Sequence, residues 1–326
     1  MTNTTGLDEY GAARGSRGCR VEVNQGPVVG HGRACGTFGE LLQGVLPDGD
    51  RDFLVTLPIT EGAGARLTLT GGPGPVLVVP ETKRKSHRLV RSMLTACGYE
   101  GGAVLELTGR LPEGKGLASS SADLVATARA VADALGARLD STAIEALLRG
   151  IEPSDGVMHD GIVSFYHRES RLRERLGCLP RLTIVGVDEG GQVDTVRHNR
   201  VPHPRSGRDK HEYAELLDRL AGAVRTHDLA EVGAVATRSA QLSTKVRPRR
   251  HLDALLRITA EAGGLGLAAA HSGTVLGVLI AAHDPEHDAK VRAVVAAGER
   301  LAGSVSTFTS LCRHEECLPA AGGAPC

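Results

Sequence analysis

A chain of 326 residues, 41% of them hydrophobic, carries enough apolar material for two cores, since single cores rarely grow past roughly 250–300 residues. Aromatic residues make up only 2% and tryptophan is absent, so those cores must be built mainly from Leu, Val, Ile and Ala. Lysine plus arginine equals aspartate plus glutamate at 38 each, which leaves no global field favouring nucleic acid or an anionic membrane as a partner.

In chain order, residues 1–27 are rich in Gly, Thr, Arg and Asn, show little apolar periodicity, and read as a disordered arm. Order is expected from Val28. The next stretch, Ala34-Cys35-Gly36-Thr37-Phe38-Gly39-Glu40-Leu41-Leu42-Gln43-Gly44, sets a carboxylate among glycines and apolar side chains. That is unusual for a simple strand, and a glycine-rich turn whose Glu40 caps a helix is the plain alternative. Residues 55–59 and 66–70 read as two strands, 71–75 as a Gly/Pro turn and 76–79 as a third strand. Lys83-Arg84-Lys85-Ser86-His87-Arg88 then opens an amphipathic helix carrying Leu89, Val90, Met93 and Leu94. Its charges are expected on a solvated face, with a nucleotide-facing role as the alternative.

Residues 103–108 alternate as a strand, and Leu124, Ala128, Val131 and Leu135 recur at helical spacing up to a stop signal at Gly136. Between them lies Pro112-Glu113-Gly114-Lys115-Gly116-Leu117-Ala118-Ser119-Ser120-Ser121-Ala122-Asp123. A small-residue loop entering a helix start offers unpaired N–H groups and the positive end of the helix dipole, which suits a phosphate. A Walker A reading fails. Gly109 to Lys115 fits G-x-x-x-x-G-K, but Gly116 stands where a hydroxyl for Mg²⁺ is required. A serine-capped structural helix remains the bland alternative.

Asp140 is expected to cap a short helix that ends at Gly150. In Ile151-Glu152-Pro153-Ser154-Asp155-Gly156, Pro153 disfavours helix at Glu152, so both carboxylates should lie on an irregular loop before a strand at 162–166. By itself Asp155 is an ordinary turn residue. The second half reads as strand 182–187, helices 211–226, 228–242 and 252–262, strands 265–270 and 275–281, helix 287–301 and strand 305–310. Reduced to its sheet this is β-α-β-β-α-β, the ferredoxin-like order. The turn Ala270-His271-Ser272-Gly273-Thr274 joins the two middle strands. Basic stretches at 197–208 and 245–250 could guide an anion, although solvated loops are the simpler reading. Seven scattered cysteines, an odd number, argue against a disulfide framework. Cys312, His314 and Cys317 have poor spacing for zinc. No apolar run reaches membrane-spanning length and no signal-like segment opens the chain, so a reduced, cytoplasmic protein is expected.

Pro112-x-x-x-Gly116-Leu117-Ala118-Ser119-Ser120-Ser121 resembles the phosphate loop of the GHMP kinases, Pro-x-x-x-Gly-Leu-Gly/Ala-Ser-Ser-Ser/Ala. The Glu40 stretch resembles their first motif, whose Gly-Glu pair lines the substrate pocket. The lysine six residues before that Glu and the histidine after it in mevalonate kinases are here Ala34 and Leu41. The 269–277 turn resembles their third motif. Ile151-Glu152-Pro153-Ser154-Asp155 and Ala270-His271-Ser272-Gly273 are most similar to the L-threonine kinases that feed the aminopropanol arm of cobalamin.

The resemblance implies an α+β, two-domain GHMP kinase fold. A ribosomal S5-like N-terminal domain would span 28–178 and a ferredoxin-like C-terminal domain 179–312, with 313–326 as tail. It implies ATP and Mg²⁺, with Pro112, Gly114, Lys115, Gly116, Leu117, Ala118, Ser119, Ser120 and Ser121 around the triphosphate. Ser120 and Glu152 would hold the metal, and Asp155 would be catalytic. Glu40, Gln43, His271, Ser272 and Gly273 would bind a small hydroxy amino acid. Neither nucleic acid nor membrane is implied as a partner, and a homodimer is compatible. Another small alcohol such as homoserine, or a non-catalytic sensor, are the alternatives. Ser120, Glu152 and Asp155 speak against the sensor, which has no need of a metal site and a base.

Overall fold

The computed structural model describes residues 27–109, 111–191 and 206–311. The expected N-terminal arm, most of the 197–208 basic stretch and the Cys312, His314, Cys317 grouping lie outside these residues. Strand β1 (Val28–Val45) pairs antiparallel with β2 (Asp52–Pro73) from Val28 opposite Leu69 to Val45 opposite Asp52. The alternative of a turn in which Glu40 caps a helix is thereby excluded, since this residue lies within a strand. Register shifts between Cys35 and Thr37, Thr37 and Glu40, and Glu40 and Leu42 let β1 bend without ending. The two strands expected at 55–59 and 66–70 are likewise one, because the glycines between them stay in the ladder.

The N-terminal half continues with β3 (Val76–Val79), α1 (Arg84–Ala96), β4 (Gly101–Gly109), α2 (Ser119–Ala134), α3 (Ser141–Arg149), β5 (Ile162–Tyr166) and β6 (Arg171–Gly177). Asp140 caps α3 as expected, accepting a hydrogen bond from the Ala143 N–H at 2.8 Å. Helix α2 departs from its expected single stripe, since Ala122, Val125, Ala126 and Ala130 are buried along with Leu124, Ala128 and Val131. The cause lies in β1. A Cβ on Gly32 would come within 2.0 Å of the Ala126 carbonyl oxygen, and one on Gly30 within 2.2 Å of the Ala134 nitrogen. Strand backbone lies directly against helix backbone, and small residues are what such contact admits.

The C-terminal half contains β7 (Leu182–Asp188), α4 (Gly207–Thr226), α5 (Leu229–Ser243), α6 (Leu252–Glu261), β8 (Gly266–Ala269), β9 (Val275–Ala281), α7 (His287–Ala302) and β10 (Val305–Thr309). Its strands lie in the order β10-β7-β9-β8, all antiparallel, which is the ferredoxin-like arrangement read from the sequence. Pairing of Ala269 in β8 with Glu40 in β1 joins this sheet to β1-β2-β4-β3, while β5 pairs with β2 and β6. One core is shared between the halves, with Phe38, Leu41 and Leu42 of β1 packed in the same cluster as Tyr213, Leu216, Leu217 and Leu220 of α4. The few aromatics serve there and in the neighbouring cores: Phe38, Phe53 and Phe165 are wholly buried.

Among the described residues no helix is long and apolar enough to cross a membrane. Cys178 is disulfide-bonded. This corrects the fully reduced reading at one position, which scattered sequence spacing cannot reveal.

Candidate active site

The loop between β4 and α2 is shaped by three residues with positive φ, Gly114 (71°), Gly116 (85°) and Ala118 (56°). Ala118 is the N-cap of α2, and no side chain caps that helix. The first N–H groups of α2 thus face outward beside a left-handed backbone, an arrangement that cradles anionic oxygens. Both other motifs clamp this loop. From β1, the Thr37 N–H donates to Leu117 O at 3.3 Å and the Gly39 N–H to Gly116 O at 3.0 Å. From the β8–β9 turn, the Thr274 N–H donates to Lys115 O at 3.1 Å.

Gly273 makes the tightest of these approaches, since a Cβ there would lie 1.9 Å from Lys115 O. Gly273→Ala is expected to push the turn off the loop and cost about 1–3 kcal/mol of stability. Thermal unfolding and calorimetric titration with Mg·ATP check this. Unchanged stability and nucleotide affinity together would show that the contact does not hold the loop.

A cavity of about 420 Å³ opens in front of the loop. Of the residues singled out in the sequence, Glu40, Gly114, Gly116, Leu117, Ala118, Ser119, Ser120, Ser121, Glu152, Asp155, His271 and Ser272 line it. Pro112, Lys115, Gln43 and Gly273 do not. The Lys115 ammonium turns away to Asp188 at 2.6 Å and to Gly191 O at 2.7 Å, and with the Thr274 hydroxyl it holds Asp188 below the usual carboxylate range despite partial burial. Gln43 and Gly273 stand behind the wall that they support.

Lys83, Lys85, Asp123 and His167 are among the further residues that line the cavity and were not singled out as site residues in the sequence; for the two lysines a nucleotide-facing role was only the alternative. The two lysines lie at the start of α1, where a basic run looks like an ordinary solvated face. Lys83 pairs with Asp123 at 2.6 Å and with Glu113. Burial alone would lower the Lys83 pKa, but its hydrogen bonds to Asp123 and Glu113 prevail and raise it. Lys85 pairs with Glu152 and lies 3.5 Å from the Ser120 hydroxyl. His167 directly follows β5.

Ser120 Oγ donates to Glu152 Oε1 at 2.5 Å, so a helix-start hydroxyl and a buried carboxylate form one oxygen pair. Ser121 Oγ donates to Asp155 Oδ2 at 3.3 Å and accepts the Asp155 N–H at 3.2 Å. Burial, with the Glu152 charge adding to it, raises the Asp155 pKa to about 6 against the Ser121 hydrogen bond. Glu40 is 5% exposed, and its burial, followed by the Asp155 charge, holds its pKa well above the usual carboxylate range. The His271 backbone N–H and the Arg249 guanidinium oppose that rise. Arg249, from the basic 245–250 stretch, is buried rather than solvated, and it donates to the carbonyl oxygens of Ala270 and Gly273.

No group of three or more His, Cys, Asp or Glu side chains gathers to hold a metal among the described residues. The hard oxygen pair of Ser120 and Glu152 beside an open helix start still fits Mg²⁺. That ion takes few protein ligands and fills its octahedron with water and phosphate oxygens. Loop, oxygen pair and lysines together fit a magnesium-bound polyphosphate.

Residues 84–167 match the family model described as GHMP kinases N terminal domain. An L-threonine kinase of Citrobacter freundii is 26% identical over 248 residues, covering 74% of this chain and 83% of the relative. An L-threonine kinase of Salmonella typhimurium is 25% identical over 265 residues, covering 81% of this chain and 84% of the relative. Among solved structures, a homoserine kinase from Cytophaga hutchinsonii superposes with a TM-score of 0.64 at 14% identity, covering 90% of this chain and 97% of its own.

Proposed function

The chain carries a GHMP kinase N-terminal domain and has the two-domain GHMP kinase fold, and on that premise we propose that it transfers the γ-phosphoryl group of ATP to the side-chain hydroxyl of L-threonine or a closely related hydroxy amino acid. The observation that carries the reading is the meeting in one cavity of the α2 start, the Ser120–Glu152 pair, Asp155 and Glu40. The two relatives named L-threonine kinase support the choice of acceptor.

In this reading the triphosphate lies against Gly114 to Ser121, where outward N–H groups receive its oxygens. Ser120 and Glu152 would hold Mg²⁺, which would neutralise phosphate charge. Lys83 and Lys85 add positive charge beside the α2 start. Phosphoryl transfer passes through a loose transition state, so positioning and charge stabilisation do most of the work. Asp155 orients the acceptor hydroxyl and takes its proton late in the transfer. With a pKa of about 6 it is largely ionised at pH 7 and a better proton acceptor than an ordinary aspartate. Glu40 receives the substrate's ammonium group.

Purified protein with Mg·ATP should release ADP faster with L-threonine than with glycerol, mevalonate or galactose. Rapid turnover of one of the other alcohols, with none of threonine, would leave the kinase and remove the acceptor.

A further inference from the structure

Gln43 does not line the cavity, yet its hydrogen bonds determine what one of the cavity's side chains can do. Its Nε2 donates to Ala269 O at 3.1 Å. A carbonyl oxygen cannot donate, so this bond fixes the amide's orientation and turns Oε1 the other way. Oε1 lies 2.8 Å from His271 Nδ1. An amide oxygen can only accept, so Nδ1 carries a proton, and in the neutral imidazole Nε2 then carries the lone pair. His167 lies edge-on against this ring, with centroids 4.6 Å apart.

The neighbouring group is Glu40, which lines the cavity and whose Oε2 is buried without a hydrogen-bond partner among the described residues. The His271 backbone N–H serves the same carboxyl. Asp155 adds negative charge close by. The guanidinium whose charge acts on Glu40, that of Arg249, spends Nη1 and Nη2 on Ala270 O, Gly273 O and Glu189 and does not line the cavity. This end of the site therefore combines acceptors with negative charge. A group with several N–H donors and a positive charge matches it, and a substrate carboxylate does not.

We propose that Glu40 Oε2 and His271 Nε2 together receive the primary ammonium group of the acceptor substrate, and that Gln43 is the positioning residue that keeps His271 in the accepting tautomer. The proposal rests on the reading of the protein as a kinase for a hydroxy amino acid. It adds that selection against hydroxy acids without the amine is set from behind the cavity wall.

The test compares L-threonine with (R)-3-hydroxybutyrate, which keeps the hydroxyl, methyl and carboxylate but lacks the amine. Wild-type protein is expected to favour threonine in kcat/KM by about 10² or more, because the analogue leaves buried acceptors unmatched. Gln43→Met keeps the side-chain length but can neither fix nor receive a proton. It should raise KM for threonine by about tenfold, the loss of one charge-assisted hydrogen bond, with kcat and KM for ATP within a few-fold. Nitrogen-15 NMR of the imidazoles in the free wild-type protein reads the tautomer even if that variant fails to fold. An unprotonated Nε2 and protonated Nδ1 at His271 are expected. A protonated Nε2, or Gln43→Met that folds and keeps full discrimination, overturns the role of Gln43. Equal use of threonine and 3-hydroxybutyrate by the wild type overturns the ammonium site and leaves the kinase reading standing. Use of neither, with another alcohol turned over, overturns the hydroxy amino acid reading itself.

Discussion

Asp155→Asn is expected to lower kcat by about 10²–10⁴, the range for losing a general base, while KM for ATP stays within a few-fold. Asparagine keeps the size of the side chain and can still meet Ser121, so the loop should hold its shape. What is lost is the proton acceptor and its charge. The same change should stabilise the protein. Folding raises the Asp155 pKa from 3.8 to about 6, so the folded chain binds that proton more tightly than the unfolded one. Ionising the carboxyl then opposes folding. The penalty is absent below about pH 4, grows as the pH rises through about 6, and reaches at most ~3 kcal/mol above that. Asp155→Asn should therefore raise Tm at pH 7.5 and leave it unchanged at pH 4. The wild-type kcat/KM should fall on an acid limb near pH 6, and a variant with normal turnover would remove Asp155 from the chemistry.

Ser120→Ala and Glu152→Gln should each damage metal-dependent turnover without damaging the fold. Ser120 donates to Glu152 at 2.5 Å, and removing that hydroxyl takes one hard oxygen from the start of α2. Loss of a cap-like hydrogen bond alone costs about 1 kcal/mol of stability. Loss of a metal ligand removes about 3 kcal/mol or more of transition-state stabilisation, a fall of ~10² in kcat. Glu152→Gln should raise the Mg²⁺ concentration needed for half-maximal rate, because an amide oxygen binds a hard dication less well than a carboxylate. It also breaks the pair with Lys85. That lysine side chain is 44% exposed, so the lost ion pair weighs little against the metal effect. Magnesium rescue of Asp155→Asn but not of Glu152→Gln would reverse the two assignments.

The parts of this site that were legible in the sequence are those whose chemistry needs particular residues at short spacing. Gly116 to Ser121 had to follow a strand and open a helix, and Ile151 to Asp155 carried two carboxylates around a proline that forbids helix. The ferredoxin-like order of the second half followed from period and turn signals alone. What stayed hidden depended on contacts between distant segments. Lys83 and Lys85 read as a solvated run because nothing local tells which side of α1 faces α2. Arg249 gave no sign of burial, because the carbonyls it satisfies lie 21 and 24 residues downstream. The length of β1 was obscured by glycines that normally interrupt strands. Here they are required by the helix packed on it.

The most direct test of phosphoryl transfer at this cavity follows the phosphorus itself. Phosphorus-31 NMR of the protein with Mg·ATP and L-threonine should show the γ-phosphoryl signal of ATP replaced by O-phosphothreonine and ADP in equal amounts. The same mixture with Asp155→Asn should show almost none over the same period. Inorganic phosphate with no phosphoester, or phosphothreonine formed equally fast by the variant, would contradict the account.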